Sequence, residues 1–467
     1  MIILGTNSIK DTGYDVANSC RFNQPDNPYL TRTISSAGST TTISISFWFK
    51  RGKLTDDLHL FSSNSFDEIK ITGSDTLRIE SYTGGYNYRK ITNRLFRDPS
   101  AWQHILVVFD TSNSTADDRI RLYINGVRET SFSTSQNPSQ NFAMSYFGTA
   151  HPFIIATDAR TLTGASNLDG YLSEVVALDG SALDPTSFGE FDSDSPTIWK
   201  PIDVSGLTFG TNGFYLDFED SSALGADVSG NTNNFTVNNL TAIDQSTDTC
   251  TNNFATLNPL AKGSSSTFSE GNLKETVGSA TYNTSTSTIG VSSGKWYWEY
   301  KLPASSLNYV LYGITTVEFS ANSSDVMTNF KTSYSKTAYA NEFRYNTAGG
   351  SYSTDTSGFS TDSTGDIVKI ALDLDNNFIY VGNGSSWFNS GNPESGASGT
   401  GASKAVVAGL TYFPMMIVYN NSMEINFGSP PYSESGGNSD GDGYGNFNQA
   451  VPSGYYSLNS KNLSEYG

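Results

Sequence analysis

The sequence GKWYWEYKL, at residues 294–302, decides the fold of the second half of the chain. Every second position holds a large apolar side chain: Trp296, Trp298, Tyr300 and Leu302. The positions between them hold Lys295, Tyr297, Glu299 and Lys301. Because successive side chains of a β-strand point to opposite faces, this period of two predicts a strand with one apolar face.

Similar strands follow toward the C-terminus. Residues 365–380, GDIVKIALDLDNNFIY, predict a hairpin, because apolar positions alternate on both sides of the turn residues 375–377. Residues 412–418 and 423–427 predict two further strands, which the sequence YNNS links.

The first half shows the same period. Residues 43–49 alternate between apolar and polar positions, whereas residues 104–109, HILVVF, predict a strand covered on both faces. Residues 120–124 alternate again and lead into Asn125-Gly126, a pair that favours a tight hairpin turn.

Length and composition favour two all-β domains. A chain of 467 residues is too long for one core. Aromatic residues make up 13% of it and there are 43 glycines, which suits strands joined by turns. We therefore predict an all-β protein of two antiparallel β-sandwiches with a joining segment.

Charge and hydropathy exclude several classes of partner. The net charge of −19 disfavours nucleic acid and anionic membranes. The start MIILG is too short for a signal peptide, and no apolar run approaches the roughly 20 residues of a membrane span. Cys20 and Cys250 are expected to be unpaired, because a disulfide framework needs several closely spaced cysteines.

The second half resembles the SPRY domain. The resemblance rests on KWYWEY at residues 295–300, YGI at 312–314, the hairpin at 365–380, YFP at 412–414 and INFG at 425–428, in that order. It implies a SPRY-like sandwich over residues 262–467.

The first half resembles laminin-G and concanavalin A-like jelly rolls. The matching pieces are ISFWFKRG at residues 45–52, WQHILVVFD at 102–110, IRLYING at 120–126 and DGYLSEVVAL at 169–178. The resemblance implies a jelly roll over residues 1–200, with a joining segment at 201–261 that either connects the two sandwiches or completes the first.

The joining stretch and the acidic Ser/Thr/Asn-rich composition resemble structural proteins of marine tailed bacteriophages that carry these two modules in tandem. This resemblance implies a component of the virion, on a tail, fibre or capsid, that is made in the host cytoplasm. The implied partners are other virion proteins, with a host-surface glycan as a further candidate. No heptad or long repeat is present, so a homo-oligomer in the particle would use sandwich edges or loops.

Concanavalin A-like folds include glycoside hydrolases, which makes EFDSD at residues 190–194 worth testing for catalysis. In an extended strand, Glu190, Asp192 and Asp194 would lie along one face, about 6.6 Å apart. Glycosidases need two carboxyl groups at a defined separation, about 5 Å in retaining enzymes. A predicted helical turn at residues 184–188 and the Ser/Asp-rich surroundings favour a solvated loop, so we expect no catalytic residue.

Metal ligands lack a recognisable spacing. His59, His104 and His151 have no zinc-site partner nearby, and the apolar neighbours of His104 favour a structural role. The oxygen-rich stretches 110–118 and 373–377 keep calcium open as an alternative, although turn chemistry explains them equally well. We expect no cofactor.

Aromatic residues in polar loops are the candidates for ligand binding. They are Tyr86 and Tyr88 in TGGYNYRK, and Trp387 and Phe388 in NGSSWF. Their rings could stack on sugars, or they could plug the ends of the sandwiches. The long polar stretches 320–363 and 389–403 are expected to be loops, and the first of them is expected to face a partner together with the Trp387 region.

The sequence therefore favours a non-catalytic virion structural or adhesion protein that displays binding modules for a host-surface glycan or another virion protein. Two alternatives stay open. One is a polysaccharide-degrading glycoside hydrolase of the virion, and the other is a purely structural decoration or fibre segment.

Overall fold

The computed structural model describes residues 13–63, 67–149, 151–162, 164, 166–316, 322–323 and 330–467, the pair 322–323 by its backbone alone. Its regular structure is almost entirely β, which confirms the predicted fold class. In the described part of the chain, one compact unit ends at Asn253 and a second begins at Phe254.

The first unit is built from short and medium-length strands joined by turns. They are β1 (Ser19–Phe22), β2 (Tyr29–Arg32), β3 (Thr42–Arg51), β4 (Leu58–Ser63), β5 (Asp67–Ile71), β6 (Thr76–Tyr82), β7 (Tyr86–Leu95), β8 (Trp102–Asp110), β9 (Ile120–Ile124), β10 (Val127–Arg128), β11 (Phe132–Gln136), β12 (Phe153–Ile155), β13 (Gly170–Asp179), β14 (Gly189–Phe191), β15 (Trp199–Pro201), β16 (Phe214–Leu216), β17 (Thr236–Asn238) and β18 (Gln245–Ser246). Single 3-10 turns lie at Gln24–Asp26, Ala116–Asp118, Pro185–Ser187 and Ala242–Asp244.

These strands form two large antiparallel sheets. One has the order β10-β9-β8-β3-β13-β1-β18, with β16 also paired to β13, and the other has the order β11-β7-β6-β5-β4-β12-β2-β17. Strands β14 and β15 pair separately. Strands β16, β17 and β18 come from the stretch 201–261 and pair with β13, β2 and β1.

The core of the first unit lies between its two sheets. Ile43, Ile45 and Phe47 from β3 pack in one cluster with Ile69 and Ile79 from the opposite sheet. Burying each such side chain contributes about 1.5–3 kcal/mol relative to leaving it in water. The first unit is therefore an antiparallel β-sandwich.

Strand β8 is covered on both faces, as its sequence predicts. Ile105 and Val107 enter the main core, whereas Leu106 and Val108 join a smaller apolar cluster with Phe188. The following hairpin turns at Asn125 and Gly126, whose φ values of 48° and 76° are the left-handed values that a tight hairpin needs.

The second unit contains the remaining strands. They are β19 (Ser266–Ser269), β20 (Lys274–Thr286), β21 (Lys295–Lys301), β22 (Leu311–Thr315), β23 (Asn322–Ser323), β24 (Ser333–Thr337), β25 (Phe343–Asn346), β26 (Ser353–Asp355), β27 (Ile367–Asp373), β28 (Phe378–Asn383), β29 (Ser386–Trp387), β30 (Lys404–Ala405), β31 (Phe413–Asn426) and β32 (Tyr456–Ser457). Two 3-10 segments, Phe388–Ser390 and Pro393–Ser398, and one helix, α1 (Ser460–Tyr466), complete it.

A continuous network of strands runs through this unit in the order β26-β25-β24-β22-β31-β21-β27-β28-β29. Strand β20 joins it through β31, and the pairing of β21 with β32 is parallel. Trp296, Trp298, Tyr300 and Leu302 pack into the main core, as the period of two predicts.

The opposite face of β21 is also buried, contrary to the expectation of one apolar face. Glu299 on that face accepts hydrogen bonds from the backbone N–H groups of Asn448 and Gln449, at 2.9 and 2.8 Å. The hydroxyl of Tyr297 donates to the same carboxylate at 2.8 Å. A covering segment therefore uses the polar residues of β21 as attachment points.

Two predictions about the strands of the second unit were wrong. The two strands predicted at residues 412–418 and 423–427 are the single strand β31 (Phe413–Asn426), because pairing with β20 continues on both sides of a register shift between Tyr419 and Asn421. Residues 320–363 were expected to be a loop, but they contain β24, β25 and β26. Residues 320–321 and 324–329 of that stretch lie outside the described residues.

Both cysteines are buried and unpaired, as predicted. Among the described residues, no helix has the length and apolarity that crossing a bilayer requires.

Glu275 is fully buried on β20 and makes the stability of the second unit depend on pH. The hydroxyls of Ser266 and Ser285 donate to its Oε1 atom, the latter at 2.8 Å. Burial raises the pKa of this carboxyl to about 7. Between its unfolded pKa of about 4.3 and this value, the folded state keeps a proton that the unfolded state has lost, so the group lowers stability as the pH rises through that window.

We expect Glu275→Gln to remove this slope. The free energy of unfolding of the variant, relative to the unmodified protein, should rise between pH 4.5 and pH 8 by up to about 3 kcal/mol. Urea unfolding at a series of pH values measures the difference. Glu465→Gln, on an exposed position of α1, is the control; a difference for Glu275→Gln that stays constant with pH would contradict the prediction.

Candidate functional site

Strands β5 and β6 place a set of charged side chains on the face opposite the core. Their inward positions are apolar: Ile69, Ile71, Leu77 and Ile79. The alternating outward positions are charged: Glu68, Lys70, Arg78 and Glu80. Antiparallel pairing sets Glu68 directly opposite Glu80, and Lys70 directly opposite Arg78. The period of the strands therefore assembles these charges side by side.

Glu68 is the centre of an ion-pair network. Its carboxylate lies 2.8 Å from His59 Nε2, 3.0 Å from Lys70 Nζ and 3.4 Å from Arg160 Nη2. The other ring nitrogen of His59, Nδ1, lies 3.1 Å from the carbonyl of Ser166. Both ring nitrogens of His59 therefore lie within hydrogen-bond distance of oxygen atoms.

Glu80 is held less completely. Arg78 Nε lies 3.2 Å from its Oε1 atom and Arg89 Nε lies 2.9 Å from Oε2. These N–H groups are not aligned with the carboxylate, so within the described part of the chain Arg78 Nε, Arg89 Nε and Glu80 Oε2 are buried atoms without a hydrogen bond. Such atoms cost about 1–3 kcal/mol each when they stay unsatisfied.

The two carboxyl groups have shifted pKa values in opposite directions. Burial, followed by the neighbouring Glu68, raises the pKa of Glu80 to about 7. Burial also acts to raise the pKa of Glu68, but hydrogen bonds from His59 and Glu80 and the charge of Lys70 outweigh it, and the pKa is lowered. At neutral pH Glu80 is therefore partly protonated, whereas Glu68 is ionised.

Two tyrosines stand at the rim of these charges. Tyr82 ends β6 and Tyr86 begins β7, and their ring centroids are 5.1 Å apart in an edge-to-face arrangement. A register shift between Ser81 and Tyr82 brings the two rings together at the hairpin end. The side chains are 47% and 41% exposed, and the guanidinium of Arg89 lies 4.2 Å from the centroid of Tyr86.

Together these side chains enclose a cleft of about 300 Å³, which we call the Tyr82–Tyr86 cleft. It is lined by Glu68, Lys70, Arg78, Glu80, Tyr82, Tyr86 and Arg160. Aromatic rings lie at one end and paired charges at the other. This combination suits a small polar ligand that presents both an apolar face and several hydroxyl groups.

The structure separates the two tyrosines that the sequence had paired as candidates. Tyr86 is exposed in the cleft. Tyr88 is fully buried in the core of the first unit, where its hydroxyl donates to Asp67 Oδ1 at 2.9 Å. Because the strand alternates inward and outward positions, Tyr88 is a core residue, and its nomination as a loop aromatic was wrong.

The other two candidates lie in the second unit and are half-buried. Trp387 packs under Lys369, whose Nζ atom is 4.4 Å from the ring centroid. Phe388 packs beside Phe359, with 5.9 Å between ring centroids. The residues that line the Tyr82–Tyr86 cleft all belong to the first unit.

The candidate catalytic acids do not lie in one extended row. Only Glu190 belongs to a strand, β14. The carboxylate of Asp192 accepts the backbone N–H groups of Asp194 and Ser195 at 3.0 and 2.8 Å, which forms a tight turn. The alternation of acids in EFDSD therefore reflects turn chemistry.

The acidic residues of the candidate calcium stretches also accept hydrogen bonds from residues close by in the chain. Asp110 accepts the hydroxyl of Ser112 at 2.7 Å, and Asp373 accepts the backbone N–H of Asn376 at 2.9 Å. Within the described residues, no group of three or more His, Cys, Asp or Glu side chains is arranged to hold a metal ion.

His104 has the structural role that its neighbours predicted. Trp199 Nε1 donates to its Nδ1 atom at 3.1 Å, and Ser46 Oγ lies 2.8 Å from Nε2. Burial lowers the pKa of His104 to about 3, so the ring is neutral and its Nε2–H donates to Ser46.

Tyr82 and the charged residues of β5 and β6 were not among the candidates predicted from the sequence. The signal was present, because the sequences DEIKI at residues 67–71 and LRIES at 77–81 alternate charged residues with isoleucine and leucine. Tyr82 and Tyr86 also flank the turn sequence TGG, which brings residues on either side of it close together.

Comparison with known proteins agrees with the sandwich described for the first unit. Residues 25–186 match the Concanavalin A-like lectin/glucanases superfamily, as the resemblance of the first half implied. No curated protein matches the chain.

The chain is also similar, at low identity, to three solved structures. The SPRY domain of human HERC1 is 16% identical and aligns over 36% of this chain and 96% of its own, with a TM-score of 0.28. A SAP-like pentraxin from Limulus polyphemus is 17% identical over 36% and 79%, with a TM-score of 0.28. A protein from Bacteroides ovatus, provisionally described as carbohydrate binding, is 12% identical over 49% and 61%, with a TM-score of 0.32. At these scores the likenesses carry no functional argument.

Substitution of the two tyrosines should separate a core residue from a surface one. We expect Tyr88→Ala to lower the free energy of unfolding by about 3–5 kcal/mol, because it leaves a cavity and an unpaired Asp67 contact. Tyr86→Ala should change it by less than about 0.5 kcal/mol, because the ring is exposed. Urea unfolding of both variants measures this. Equal destabilisation by the two changes would contradict the assignment.

Proposed function

We propose that this protein is a non-catalytic binding component of a tailed-bacteriophage particle, and that the Tyr82–Tyr86 cleft binds a sugar ring of a host-surface glycan. The observation that carries the proposal is the cleft itself, with two exposed tyrosines beside buried polar atoms that lack hydrogen bonds. Its volume of about 300 Å³ is at the small end of the range for small-molecule sites.

Sugar hydroxyls match the charged side chains that line the cleft. A hydroxyl both donates and accepts, so one group can donate to a carboxylate and accept from a neighbouring cation of the lining. Bonds that involve charged partners are about twice as strong as neutral ones. A ligand with several hydroxyl groups therefore suits this lining.

The tyrosines suit the other side of a sugar. The axial C–H groups of a pyranose form an apolar face, which can stack on an exposed aromatic ring. Tyr82 and Tyr86 are edge-to-face at 5.1 Å, and Arg89 lies over Tyr86, so the orientation of that ring is fixed before the ligand arrives. Fixed rings lose little conformational entropy on binding.

The carboxylates of the cleft support binding rather than hydrolysis. Glu68 and Glu80 lie directly opposite each other on neighbouring strands, and burial together with the neighbouring Glu68 raises the pKa of Glu80 to about 7. A retaining glycosidase needs its two carboxyl groups about 5 Å apart with the sugar bond between them, and an inverting one needs more. Lys70 and Arg160 also lie beside Glu68, which leaves it poorly suited to act as a nucleophile.

The assignment to a virion rests on the resemblance of the tandem organisation to phage structural proteins. A concanavalin A-like module followed by a SPRY-like module would supply two rigid scaffolds with exposed polar surfaces. Other virion proteins are the proposed partners for assembly, and the glycan is the proposed ligand. Mass spectrometry of purified particles tests this step; absence of the protein from them would refute it.

We expect Tyr86→Ala and Tyr82→Ala each to weaken glycan binding about tenfold or more, which corresponds to a loss of about 1.4 kcal/mol. Binding of the full chain to a glycan array identifies the ligand, and titration calorimetry with that ligand gives the affinities. Both side chains are exposed, so the fold should be retained.

Leu95→Ala is the matched control, because Leu95 is also an exposed apolar residue of β7 but does not line the cleft. Its affinity should equal that of the unmodified protein. Equal loss of affinity in Leu95→Ala and Tyr86→Ala, or no glycan bound at all, would refute the proposed site. Absence of any ligand would favour the alternative of a purely structural decoration or fibre segment.

Catalysis is tested separately. Incubation of the bound polysaccharide with the protein should release no new reducing ends, since the ion pairs of Glu68 with Lys70 and Arg160 leave it poorly suited to act as a nucleophile. Reducing ends that appear with the unmodified protein and disappear with Glu80→Gln would establish the hydrolase alternative instead.

A further inference from the structure

Five tyrosines meet on the surface of the second unit. Tyr282 on β20 and Tyr419 on β31 are partners across the strands, with ring centroids 5.0 Å apart. Tyr309 lies 5.5 and 5.0 Å from these two rings and 5.5 Å from Tyr339. Arg344 links the group to Tyr352, whose ring centroid is 4.8 Å from the guanidinium. We call Tyr282, Tyr309, Tyr339, Tyr352 and Tyr419 the tyrosine platform.

The platform rests on a small apolar cluster of its own. That cluster is separate from the main core and consists of Leu311, Phe330, Met415 and Ile417. Tyr282, Tyr339 and Tyr352 pack against it. The inner edges of these rings are therefore fixed, and their outer parts reach the surface.

Most of the platform's hydroxyl groups have no hydrogen-bond partner among the residues that the structure describes. Four of them make no hydrogen bond to any described residue: Tyr282, Tyr309, Tyr352 and Tyr419. The hydroxyl of Tyr339 accepts from Arg344 Nη2 at 3.0 Å. A phenol hydroxyl both donates and accepts, so this surface offers several such groups within a small area.

Tyr309 stands in a backbone conformation that a bulky residue rarely adopts. Its φ is 61°, and its side chain is 42% exposed in the turn before β22. A left-handed conformation costs roughly 1–2 kcal/mol for a residue that carries a Cβ atom. A strained, exposed aromatic residue at the centre of a cluster has no role in packing the core and indicates a binding role.

The platform carries no unpaired charge. Arg344 is its neighbouring cation, and Glu342 neutralises it at 2.8 Å. The whole chain has a net charge of −19, which disfavours the approach of anionic polymers. The matching ligand is therefore uncharged.

The exposed area favours a small ligand over a protein. A fully buried tyrosine contributes about 150–250 Å², and here one ring is 42% exposed while the other four are half-buried. The platform therefore offers on the order of 300 Å², whereas a specific protein interface takes about 800 Å² from each partner. An area of this size suits two or three sugar rings.

We propose that the tyrosine platform is a second saccharide site, specific for a short uncharged oligosaccharide, that acts independently of the Tyr82–Tyr86 cleft. Rings would stack on the apolar faces of the sugars, and the free phenol hydroxyls would bond their hydroxyls. The proposal goes beyond the function proposed for the first unit and does not require it.

Chemical footprinting of the full chain tests the platform site by site. Tetranitromethane nitrates exposed tyrosines, and mass spectrometry of the peptides reports each position separately. The probes are laminarihexaose, maltohexaose and chitohexaose, with trigalacturonate as the acidic comparator. We expect at least one neutral hexaose to protect Tyr309 from nitration and trigalacturonate to give no protection.

Two substitutions of Tyr309 separate the contribution of its ring from that of its hydroxyl group. Tyr309→Asn removes the ring while keeping a residue that tolerates a positive φ, and it should weaken binding of the protecting hexaose about tenfold. Tyr309→Phe keeps the ring and should weaken it only about threefold. The double change Tyr82→Ala with Tyr86→Ala should leave protection at Tyr309 intact, which separates this proposal from the first.

Three results would overturn the proposal. No neutral hexaose protects Tyr309, or the Tyr309→Asn variant binds as the unmodified protein does, or protection is lost in the Tyr82→Ala, Tyr86→Ala variant. Sedimentation velocity tests whether a second copy of the chain occupies the platform instead. A dimer that Tyr309→Asn converts to a monomer would identify the platform as an interface between two copies and would overturn the proposal.

Discussion

The period of two along each strand is the constraint on which both the core and the binding surface of the first unit depend. Ile69 and Ile79 can enter the core only if Glu68 and Glu80 leave it. A slip of one residue would exchange the two sets and bury unpaired charge, which costs several kcal/mol per ion. The charged residues therefore fix the register as firmly as the isoleucines do, and the same register places Glu68 opposite Glu80.

Buried charge also anchors segments that have little regular structure. In the second unit, Glu299 on β21 receives the backbone N–H groups of Asn448 and Gln449. In the first unit, Lys50 and Asp248 form a buried ion pair at 2.6 Å. The net gain from such a group is small, but loss of one partner would leave an uncompensated charge and cost about 3–5 kcal/mol. Chains with few helices and many turns can hold long connecting segments in place in this way.

Sequence periodicity predicts the strands well because it depends only on neighbouring residues. It located β21, β8 and the hairpin at Asn125-Gly126. It divided β31 into two strands, because the polar sequence YNNS resembles a turn. The structure has an irregularity there, with Asn420 at a φ of 44°, but pairing with β20 resumes on its far side. The end of a strand is decided by its partner, which the local sequence does not contain.

The candidate sites were less predictable for the same reason. Tyr86 and Tyr88 look equivalent in the sequence, yet the pleat sends one to the surface and the other into the core. The tyrosine platform draws on residues from 282 to 419, and no local pattern connects them. Its members come together only because β20, β22 and β31 are neighbours in one network of strands.

Charge distinguishes the two binding surfaces and limits what each can hold. Lys70, Arg78 and Arg160 face Glu68 and Glu80 in the cleft, so cations outnumber carboxyl groups in its lining although the net charge of the chain is −19. At physiological salt a charge is screened over about 8 Å, so a ligand in the cleft responds mainly to the lining, whereas a long anionic chain also meets the acidic surface around it. An uncharged sugar is affected neither by the charges of the lining nor by the acidic surface around it. Both surfaces thus favour ligands recognised through hydroxyl groups and apolar faces, and the cleft alone has the cations that would tolerate a carboxylate at close range.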